Sequence, residues 1–505
     1  MAFIAISYAK GGTHAMLGEW KSHSAYCNFV VNNLARYRDD PSPIIEYLDI
    51  ILKLYIFNLD RLKDAIANHY SYTGRAATRQ PEIFRIMILM LHLKLTPTEC
   101  IGKLKLNHVL RVACGLTLKQ IPSVASLYNF IYRIVGYGDR PAVKKFKRKP
   151  TIKLAKGEKL PPRHPDITNK LKDKLIVGRR FADPIATAIN DFLAVAVRQS
   201  YEFGLMAPRI NISGDGTCIP TGASSYGKKT CGCKDKGIYD CDCPRTYSDP
   251  KATWGWDSHN SCYFYGYTGY FISTYDAIHK VDLPLYLRIV DAKRHDSISA
   301  LAALSEFGDR YPQLRAGAFI SDSASDNQAT YELLDFWGID AVIALGKTND
   351  GNFKYPAPLR IEADGTPVCP SGHNMVFWGD CGGNHPRIKW RCPNALNKLE
   401  DGAPCICCSP SPYGRTFYTK PEWDLRIFCR VPRGTEQWKN LMKERTASER
   451  VNDRILNDYG VGKSGRRGKG RISFFTMIAA INIHLDAQLK IILADKSDSG
   501  QNIAS

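Results

Sequence analysis

Acidic residues and long apolar runs are both scarce in this chain. Asp and Glu number 49 against 69 Lys and Arg, which gives a formal net charge of +20. A surplus of that size favours an anionic partner, and nucleic acid is the commonest one. The most apolar window, 83–95, contains Arg85, His92 and Lys94 and is shorter than a bilayer requires. We therefore predict no membrane span.

The sequence also lacks a fixed-period repeat, and its first residues lack the basic start and cleavage pattern of a secretory signal. We therefore expect a cytoplasmic, nucleoid-associated protein whose thiols are reduced. In that setting the 16 cysteines favour metal ligation over disulfides. A chain of 505 residues is too long for one ordinary core, so two or three domains are expected.

Composition and periodicity divide the chain into six segments. Helical apolar spacing dominates the first, in which Ser123 and Gly136 are the expected ends of one helix, and strands alternate with helices from about residue 181. The predicted segments are a helical domain for DNA binding or dimerisation at 1–139, a basic linker at 140–180, the first part of an α/β core at 181–349, a Cys/His-rich insertion at 350–430, a Glu-bearing helix and final core helix at 431–495, and a tail at 496–505.

Two basic segments are candidate contacts for DNA phosphates. Fifteen Lys or Arg face three acidic residues in the proline-spaced linker, which we interpret as extended. A glycine-spaced loop at 462–471 is similarly basic, although a solvated loop is the simpler alternative. The predicted DNA contacts are Lys144, Lys145, Lys147, Arg148, Lys149, Lys463, Arg466, Arg467, Lys469 and Arg471.

Two aspartates stand at predicted strand ends. Asp215 lies between two glycines after a strand-like run, and Asp322 follows the strand 316–321 of a βαβ unit. That unit continues with a helix at about 326–337, Gly338 as its end and a strand at 341–345. Carboxylates at adjacent strand ends suit Mg²⁺ or Mn²⁺, which prefer oxygen ligands. The main rival is Asp326, although Ser325 or Asp326 more simply caps the helix, and Asp291 and Asp296 are also near a strand end.

A third acid is expected on the helix 435–460, with Thr435 as its cap. Glu449 lies seven residues from both Met442 and Leu456, so continuous helical spacing puts it on the apolar face. A carboxylate there must be paired or bound to metal. The simpler alternative is a surface ion pair with Arg445, four residues earlier. Glu436, Glu444 and Asp453 fall nearer the polar side.

Cysteines gather in two clusters that could bind zinc. Two C-x-C pairs, tighter than the usual C-x₂-C, make a tetrahedral zinc site feasible, with reduced pairs or a disulfide as alternatives. The second cluster lies in the insertion, and its ligand sets stay open. The candidates are Cys231, Cys233, Cys241 and Cys243 in the first cluster, and Cys369, His373, Cys392, Cys405, Cys407 and Cys408 in the second.

Several strings together resemble the bacterial insertion-sequence DDE transposases. GDGTCIPTGAS at 214–224 looks like their first-aspartate motif, ISDSASDNQATYELL at 320–334 like the second, and RTASERVNDRI at 445–455 like the Arg-x₃-Glu helix. YSDPKATWGWDS at 247–258, RHDS at 294–297 and the helical segment 110–134 are also similar. The resemblance covers roughly residues 75–490. Met442 stands where a tyrosine is usual, and Arg454 where a lysine is more common.

The resemblance implies an RNase H-like mixed sheet flanked by helices, with a helical N-terminal domain and a Cys-rich insertion. It implies DNA cleavage and strand transfer at the ends of an insertion sequence, with Asp215, Asp322 and Glu449 holding two Mg²⁺ or Mn²⁺ ions. Arg445 and Arg454 would support the acids. His295 and Asp296 could assist the site, although a hydrogen-bonded turn histidine is the commoner case.

Three functions remain open at this point. The leading hypothesis is a transposase that acts on double-stranded element ends and target DNA, as a homodimer and away from membranes. A metal-dependent nuclease of the same fold would cut without joining. An inactive, zinc-stabilised DNA-binding protein would need none of the acids, and we see no nucleophilic Ser or Cys arrangement that favours another chemistry.

Overall fold

The computed structural model describes residues 17–138, 140–145, 166–346, 358–383, 386–399, 409–463 and 465–498. Helices and strands alternate over much of the described chain, so the protein is mixed α/β. The α-helices are α1 His23–Leu34, α2 Ser42–Ile45, α3 Leu48–Ile56, α4 Lys63–Ala67, α5 Gln80–His92, α6 Pro97–Leu106, α7 His108–Ala113, α8 Val124–Val135, α9 Ile167–Ile176, α10 Pro184–Glu202, α11 Asp296–Arg310, α12 Gln328–Trp337, α13 Glu436–Lys443, α14 Thr446–Asp453 and α15 Lys469–Asp498.

Twelve strands are present in the described part of the chain, and they form three sheets. The strands are β1 Ala142–Lys144, β2 Arg209–Pro220, β3 Lys228–Lys229, β4 Arg245–Tyr247, β5 Thr253–Asp257, β6 Cys262–Asp276, β7 Val281–Asp291, β8 Arg315–Ser321, β9 Asp340–Ile343, β10 Val376–Cys381, β11 Arg387–Arg391 and β12 Thr416–Thr419.

The chain divides into two compact units. The first comprises the described residues of 1–140, 183–200 and 459–505, and the second those of 141–182 and 201–458. The C-terminal helix therefore groups with the N-terminal helices, and the linker range groups with the α/β part. This division differs from the six predicted segments because tertiary packing joins elements that are far apart in sequence.

The first unit is helical, as the apolar spacing of its sequence indicates. Its helix α15 packs against α3, α5 and α8, and most of its apolar side chains are buried. Ser123 caps α8 by accepting a hydrogen bond from the backbone N–H of Ser126, and Gly136 ends that helix at φ 80°, both as predicted. A buried polar network joins α10 to α15, where Gln488 donates to the Ser200 hydroxyl at 2.8 Å.

Helix α15 contains an apolar stretch that the sequence reading did not single out. Lys469–Ala494 is long and apolar enough to cross a membrane, yet 67% of that window is buried inside the protein. The core helix of a soluble protein meets the same criterion, so one such helix is weak evidence for a span. The absence of a membrane span and the cytoplasmic location stay predictions.

The second unit is built on a six-stranded sheet. Strand β6 pairs on one side with β2 and on the other with β5 and β7, and the sheet continues from β2 through β8 to β9. The strands β2, β6 and β7 run antiparallel in succession, whereas β8 and β9 run parallel to β2. The helices α11 and α14 both pack on β2, β6 and β7.

The βαβ unit over β8, α12 and β9 confirms its predicted bounds to within about two residues. Gly338 ends α12 in the left-handed conformation, as predicted. The N-cap is Asn327, so neither Ser325 nor Asp326 caps this helix. Helix α11 continues through Gly308 to Arg310, so this glycine does not end the helix. One glycine costs an exposed helix only about 1 kcal/mol, so it does not by itself end one.

The predicted linker contains regular structure in its described part. Its first residues form β1, which pairs antiparallel with β4. Helix α9 buries Leu171 and Leu175 against Leu301 and Leu333. This i,i+4 apolar pair is the sequence signal for the helix, and the lysines around it obscured that signal. The range is therefore not extended throughout, and 146–165 lies outside the described residues.

The described part of the insertion contains a small sheet of its own. The strands β10, β11 and β12 form an antiparallel sheet. One face of this sheet packs on a core that contains Ile388, Trp390, Ile427 and Phe428. Cys369 and Cys392 are also buried in that core.

Candidate functional site

Asp215 and Asp322 lie near each other on neighbouring parallel elements. Asp215 is the seventh of the twelve residues of β2, so the prediction that it ends its strand is wrong, whereas Asp322 directly follows β8 as predicted. The β2–β8 ladder pairs Ser213 with Ile320, and continuing that register brings Asp322 next to Asp215. Asp322 therefore stands at the carboxyl end of its strand, which is where open α/β sheets place their functional groups.

Hydrogen bonds orient both aspartates. Asp215 accepts from the Asn452 amide at 2.9 Å through Oδ2 and from the backbone N–H of Gly216 at 2.9 Å through Oδ1. Asp322 caps a short 3₁₀ turn by accepting from the backbone N–H of Ala324 at 3.0 Å. Asn452 was not anticipated, although its position three residues after Glu449 on the same helix is the signal that could have indicated it.

The carboxylates repel one another. Burial raises the pKa of Asp215 to about 7, and the negative charges of Asp322, Asp296 and Glu449 contribute to the increase, against a lowering by the Gly216 N–H. Burial likewise raises the pKa of Asp296 to about 6, with His295 lowering it and Asp322 raising it. A cluster of acids with raised pKa values indicates a place where a cation would be stabilised.

The Asp296 carboxylate packs directly against the backbone of Gly216, where any other residue would place its Cβ. A Cβ atom on Gly216 would lie only 2.4 Å from the Asp296 Oδ1 and 2.6 Å from its Cγ. Because successive residues of a strand face opposite sides, Asp296 approaches from the face opposite the Asp215 side chain. His295 caps α11, and its Nδ1 accepts from the Ser297 N–H, so the histidine occupies the commoner structural role.

Glu449 does not lie on a buried face, and that prediction is wrong. Its side chain is 45% exposed and pairs with Arg445 at 2.8 Å, which is the surface ion pair weighed as the alternative. The predicted single helix is interrupted at 444–445 between α13 and α14. Residues seven apart across this break do not lie on the same helical face, so Glu449 does not share the face of Met442. Thr435 caps α13 as predicted. Arg454 begins a π-helical turn and lies 3.9 Å from Asp458.

Two of the rival acids have structural partners. Asp326 is almost fully buried and accepts two hydrogen bonds from Arg426, at 2.8 and 2.7 Å, and one from the Gly346 N–H. Glu444 is half-buried rather than on the polar side, and it accepts from the Asn211 amide at 3.1 Å. These contacts account for both carboxylates without a metal.

The predicted DNA contacts have different environments. Lys145, Lys463 and Arg467 are exposed, while Lys144 donates to the Pro250 carbonyl. Burial lowers the pKa of Arg466 to about 10, and its guanidinium lies over the Phe475 ring, so it packs within the first unit. Lys469 pairs with Asp183 at 2.6 Å, and Arg471 is half-buried. Lys147, Arg148 and Lys149 lie outside the described residues.

The first cysteine cluster is brought together as its spacing predicts. The four sulfurs of Cys231, Cys233, Cys241 and Cys243 all lie within 4.8 Å of one another, so the cluster could hold a metal such as zinc. Backbone donation from Cys233 lowers the pKa of the Cys231 thiol to about 7. Hydrogen bonds with Cys243 and Cys231 raise the pKa of Cys233 to about 12, so the Cys231 thiol ionises before that of Cys233.

The second cysteine cluster is only partly described. Cys369 and Cys392 are buried and His373 is half-buried, on the small sheet of the insertion. Cys405, Cys407 and Cys408 lie outside the described residues. The ligand sets of this cluster therefore stay open.

No family model matches this chain, and no curated protein matches it. Function must therefore be inferred from the chemistry of the two clusters. The carboxylates of Asp215 and Asp322 lie on neighbouring strands, and helix α14, which packs on β2, carries the exposed Glu449–Arg445 pair. The cysteines form a closed set of four sulfurs, which is typical of a structural metal.

Proposed function

We propose that this protein is a DDE-type DNA transposase that cleaves DNA at the ends of an insertion sequence and joins those ends to target DNA. The observation that carries the proposal is the pair formed by Asp215 on β2 and Asp322 at the end of the neighbouring strand β8, beneath a helix that carries Glu449. The strand arrangement supports an RNase H-like core, with three antiparallel strands followed by two parallel ones.

The electrostatics of the acids favour divalent metal binding. Asp215, Asp322 and Glu449 would hold Mg²⁺ or Mn²⁺, which when bound would activate the attacking oxygen and stabilise the leaving one. Asn452 and the Gly216 N–H fix the orientation of the Asp215 carboxylate. Fixed carboxylates lower the reorganisation needed when a phosphate approaches, so these hydrogen bonds would contribute to the rate.

The residues around Glu449 suit an anionic substrate. Arg445 holds the glutamate through an ion pair and places a positive charge at the exposed rim of the site. The net charge of +20 would attract DNA from solution, and Lys145 and Lys463 are exposed where they could contact phosphates. The proposed partners are double-stranded element ends and target DNA, bound by a homodimer in the nucleoid.

Strand transfer tests the proposal. The substrate is linear DNA that carries this gene's flanking ends, incubated with supercoiled target plasmid in Mg²⁺ and with wild-type protein or Glu449→Gln. We expect joined product from the wild type and none from the variant. Glu436→Gln is the matched control, since Glu436 is exposed on α13 and pairs with Lys439. It should join ends like the wild type.

The other outcomes identify the alternatives. Nicking of plasmid without joining would indicate a nuclease of the same fold. DNA binding by the wild type with no cleavage in Mg²⁺ or Mn²⁺ would indicate an inactive, zinc-stabilised DNA-binding protein. Full joining by Glu449→Gln would remove the glutamate from the proposed site.

A further inference from the structure

The segment between β2 and β5 is ordered without a hydrophobic core. Across 221–250 the buried residues are Arg245 and Asp249, both of them polar. Among its larger apolar side chains, Tyr226, Ile238 and Tyr239 are 65%, 51% and 66% exposed, and Tyr247 is half-buried. Hydrophobic burial therefore does not hold this segment together, and small coreless units commonly depend on a disulfide or a metal.

Polar contacts close the base of this segment. Asp249 accepts hydrogen bonds from the Thr221 hydroxyl at 2.8 Å and from the Tyr267 hydroxyl at 2.6 Å. The start and the end of the segment are thereby tied to strand β6. Nearer the tip, Thr230 donates to the Pro244 carbonyl at 3.1 Å, immediately beside the cysteines.

The geometry of the four cysteines matches a tetrahedral metal. Zinc–sulfur bonds of about 2.3 Å place the sulfurs of a tetrahedron about 3.8 Å apart. The Cys231–Cys241 sulfurs are 3.5 Å apart and the Cys233–Cys243 sulfurs 3.6 Å, while all four lie within 4.8 Å. A disulfide needs about 2.05 Å and joins only two sulfurs. The proximity of all four sulfurs, rather than of one bonded pair, therefore favours one shared ion.

We propose that Cys231, Cys233, Cys241 and Cys243 bind one structural Zn²⁺ that orders the segment 221–250 and thereby holds the start of the linker. Four thiolates complete the coordination of zinc and leave no open position, so this ion has no catalytic role. The inference is independent of the proposed transposase activity, because it concerns none of the carboxylates.

The sheet formed by β1, β4 and β3 connects the cysteine segment to the start of the linker. Strand β4 follows Cys243 by two residues, and it pairs with β3 on one side and with β1 on the other. Strand β1 has three residues and is exposed or half-buried along its length, so it depends on β4 for its order. Loss of zinc would disorder β3 and β4, and β1 would lose its pairing partner.

Metal analysis of the purified full chain tests the site. We compare the wild type, the double variant Cys233→Ser/Cys243→Ser, and Cys262→Ser as the matched control, since Cys262 is an exposed cysteine on β6 outside the cluster. We expect the double variant to hold one equivalent less zinc than the wild type, and the control to hold the same amount. Any zinc bound by the insertion is the same in all three proteins, so it cancels in this comparison. Equal zinc in all three proteins, iron in place of zinc, or two disulfides in the wild type under reducing conditions would overturn the proposal.

Hydrogen exchange tests the structural role. In the double variant we expect loss of protection in 221–250 and in β1, while β6 keeps its protection and so reports a folded sheet. If zinc is lost but exchange in β1 and in 221–250 is unchanged, the proposed structural role of the ion is wrong. As a second readout, Co²⁺ substitution should give thiolate charge-transfer absorption in the wild type and in Cys262→Ser but weaker absorption in the double variant.

Discussion

Gly216→Ala would test whether Asp296 really occupies the gap beside Asp215. A Cβ at this position would lie 2.4 Å from the Asp296 Oδ1, 2.6 Å from its Cγ and 2.7 Å from its Oδ2. Carbon and oxygen atoms in contact need roughly 1 Å more than this. All three terminal atoms of Asp296 are involved, so rotating the carboxylate does not remove the clash. Either the first turn of α11 or the strand β2 must shift.

The expected cost follows from this overlap. Forcing an extra methyl group into a packed site lowers the free energy of unfolding by about 1–3 kcal/mol. Removing the opposing atoms should remove the cost, so Gly216→Ala should be much less destabilising in an Asp296→Ala background. Gly308→Ala is the matched control, because nothing lies within 4 Å of its added Cβ in helix α11. Alanine should stabilise that helix by about 0.5–1 kcal/mol.

The assay is hydrogen exchange of strand β2 over a urea series, which reports the stability of the sheet. It is measured for the wild type, Gly216→Ala, Asp296→Ala, the double variant and Gly308→Ala. An equal loss from Gly216→Ala in both backgrounds would refute the reasoning, since it would mean that Asp296 does not fill the gap. In the strand-transfer assay the same variants should show lower activity for Gly216→Ala than for Gly308→Ala, because a shift of β2 moves Asp215.

Two further predictions concern buried charges. Burial and Lys53 lower the pKa of His92 from 6.5 to about 4, so below pH 6.5 the unfolded chain binds a proton that the folded chain does not. The free energy of unfolding of the first unit should fall by about 2 kcal/mol between pH 6.5 and 4, by urea denaturation, and His92→Gln should remove that fall. Asp326→Ala should cost about 3–5 kcal/mol because it leaves the Arg426 guanidinium without its carboxylate, and an unchanged urea midpoint would contradict the pairing.

The sequence was most informative where local signals agreed with tertiary packing. Ser123, Gly136 and Gly338 mark helix ends because capping depends on the backbone nearby. The position of Asp322 after β8 was predictable for the same reason, whereas Asp215 lies inside β2, which continues to Pro220. The parallel register that brings them together is a long-range property, and only the structure provides it.

The prediction for Glu449 failed because it assumed one continuous helix over 435–460. A continuous helix through 444–445 would have turned Glu449 inward, but the break changes the phase and leaves the side chain exposed. The contact between Asp296 and Gly216 and the hydrogen bond from Asn452 join residues 80 and 237 positions apart in the sequence numbering. Local patterns could nominate Asp296 and Asn452 as candidates, but they do not contain these long-range contacts, which only the structure provides.

Binding of Mn²⁺, followed by electron paramagnetic resonance, tests the central claim most directly. Wild-type protein, Asp322→Asn and Glu444→Gln are titrated with Mn²⁺ at neutral pH, where Glu444→Gln is the control because its amide can still pair with Asn211. Asp322→Asn should weaken binding by at least about tenfold, since it removes a proposed ligand, while the control should bind like the wild type. Equal Mn²⁺ affinity in all three proteins would contradict a metal site formed by Asp215, Asp322 and Glu449.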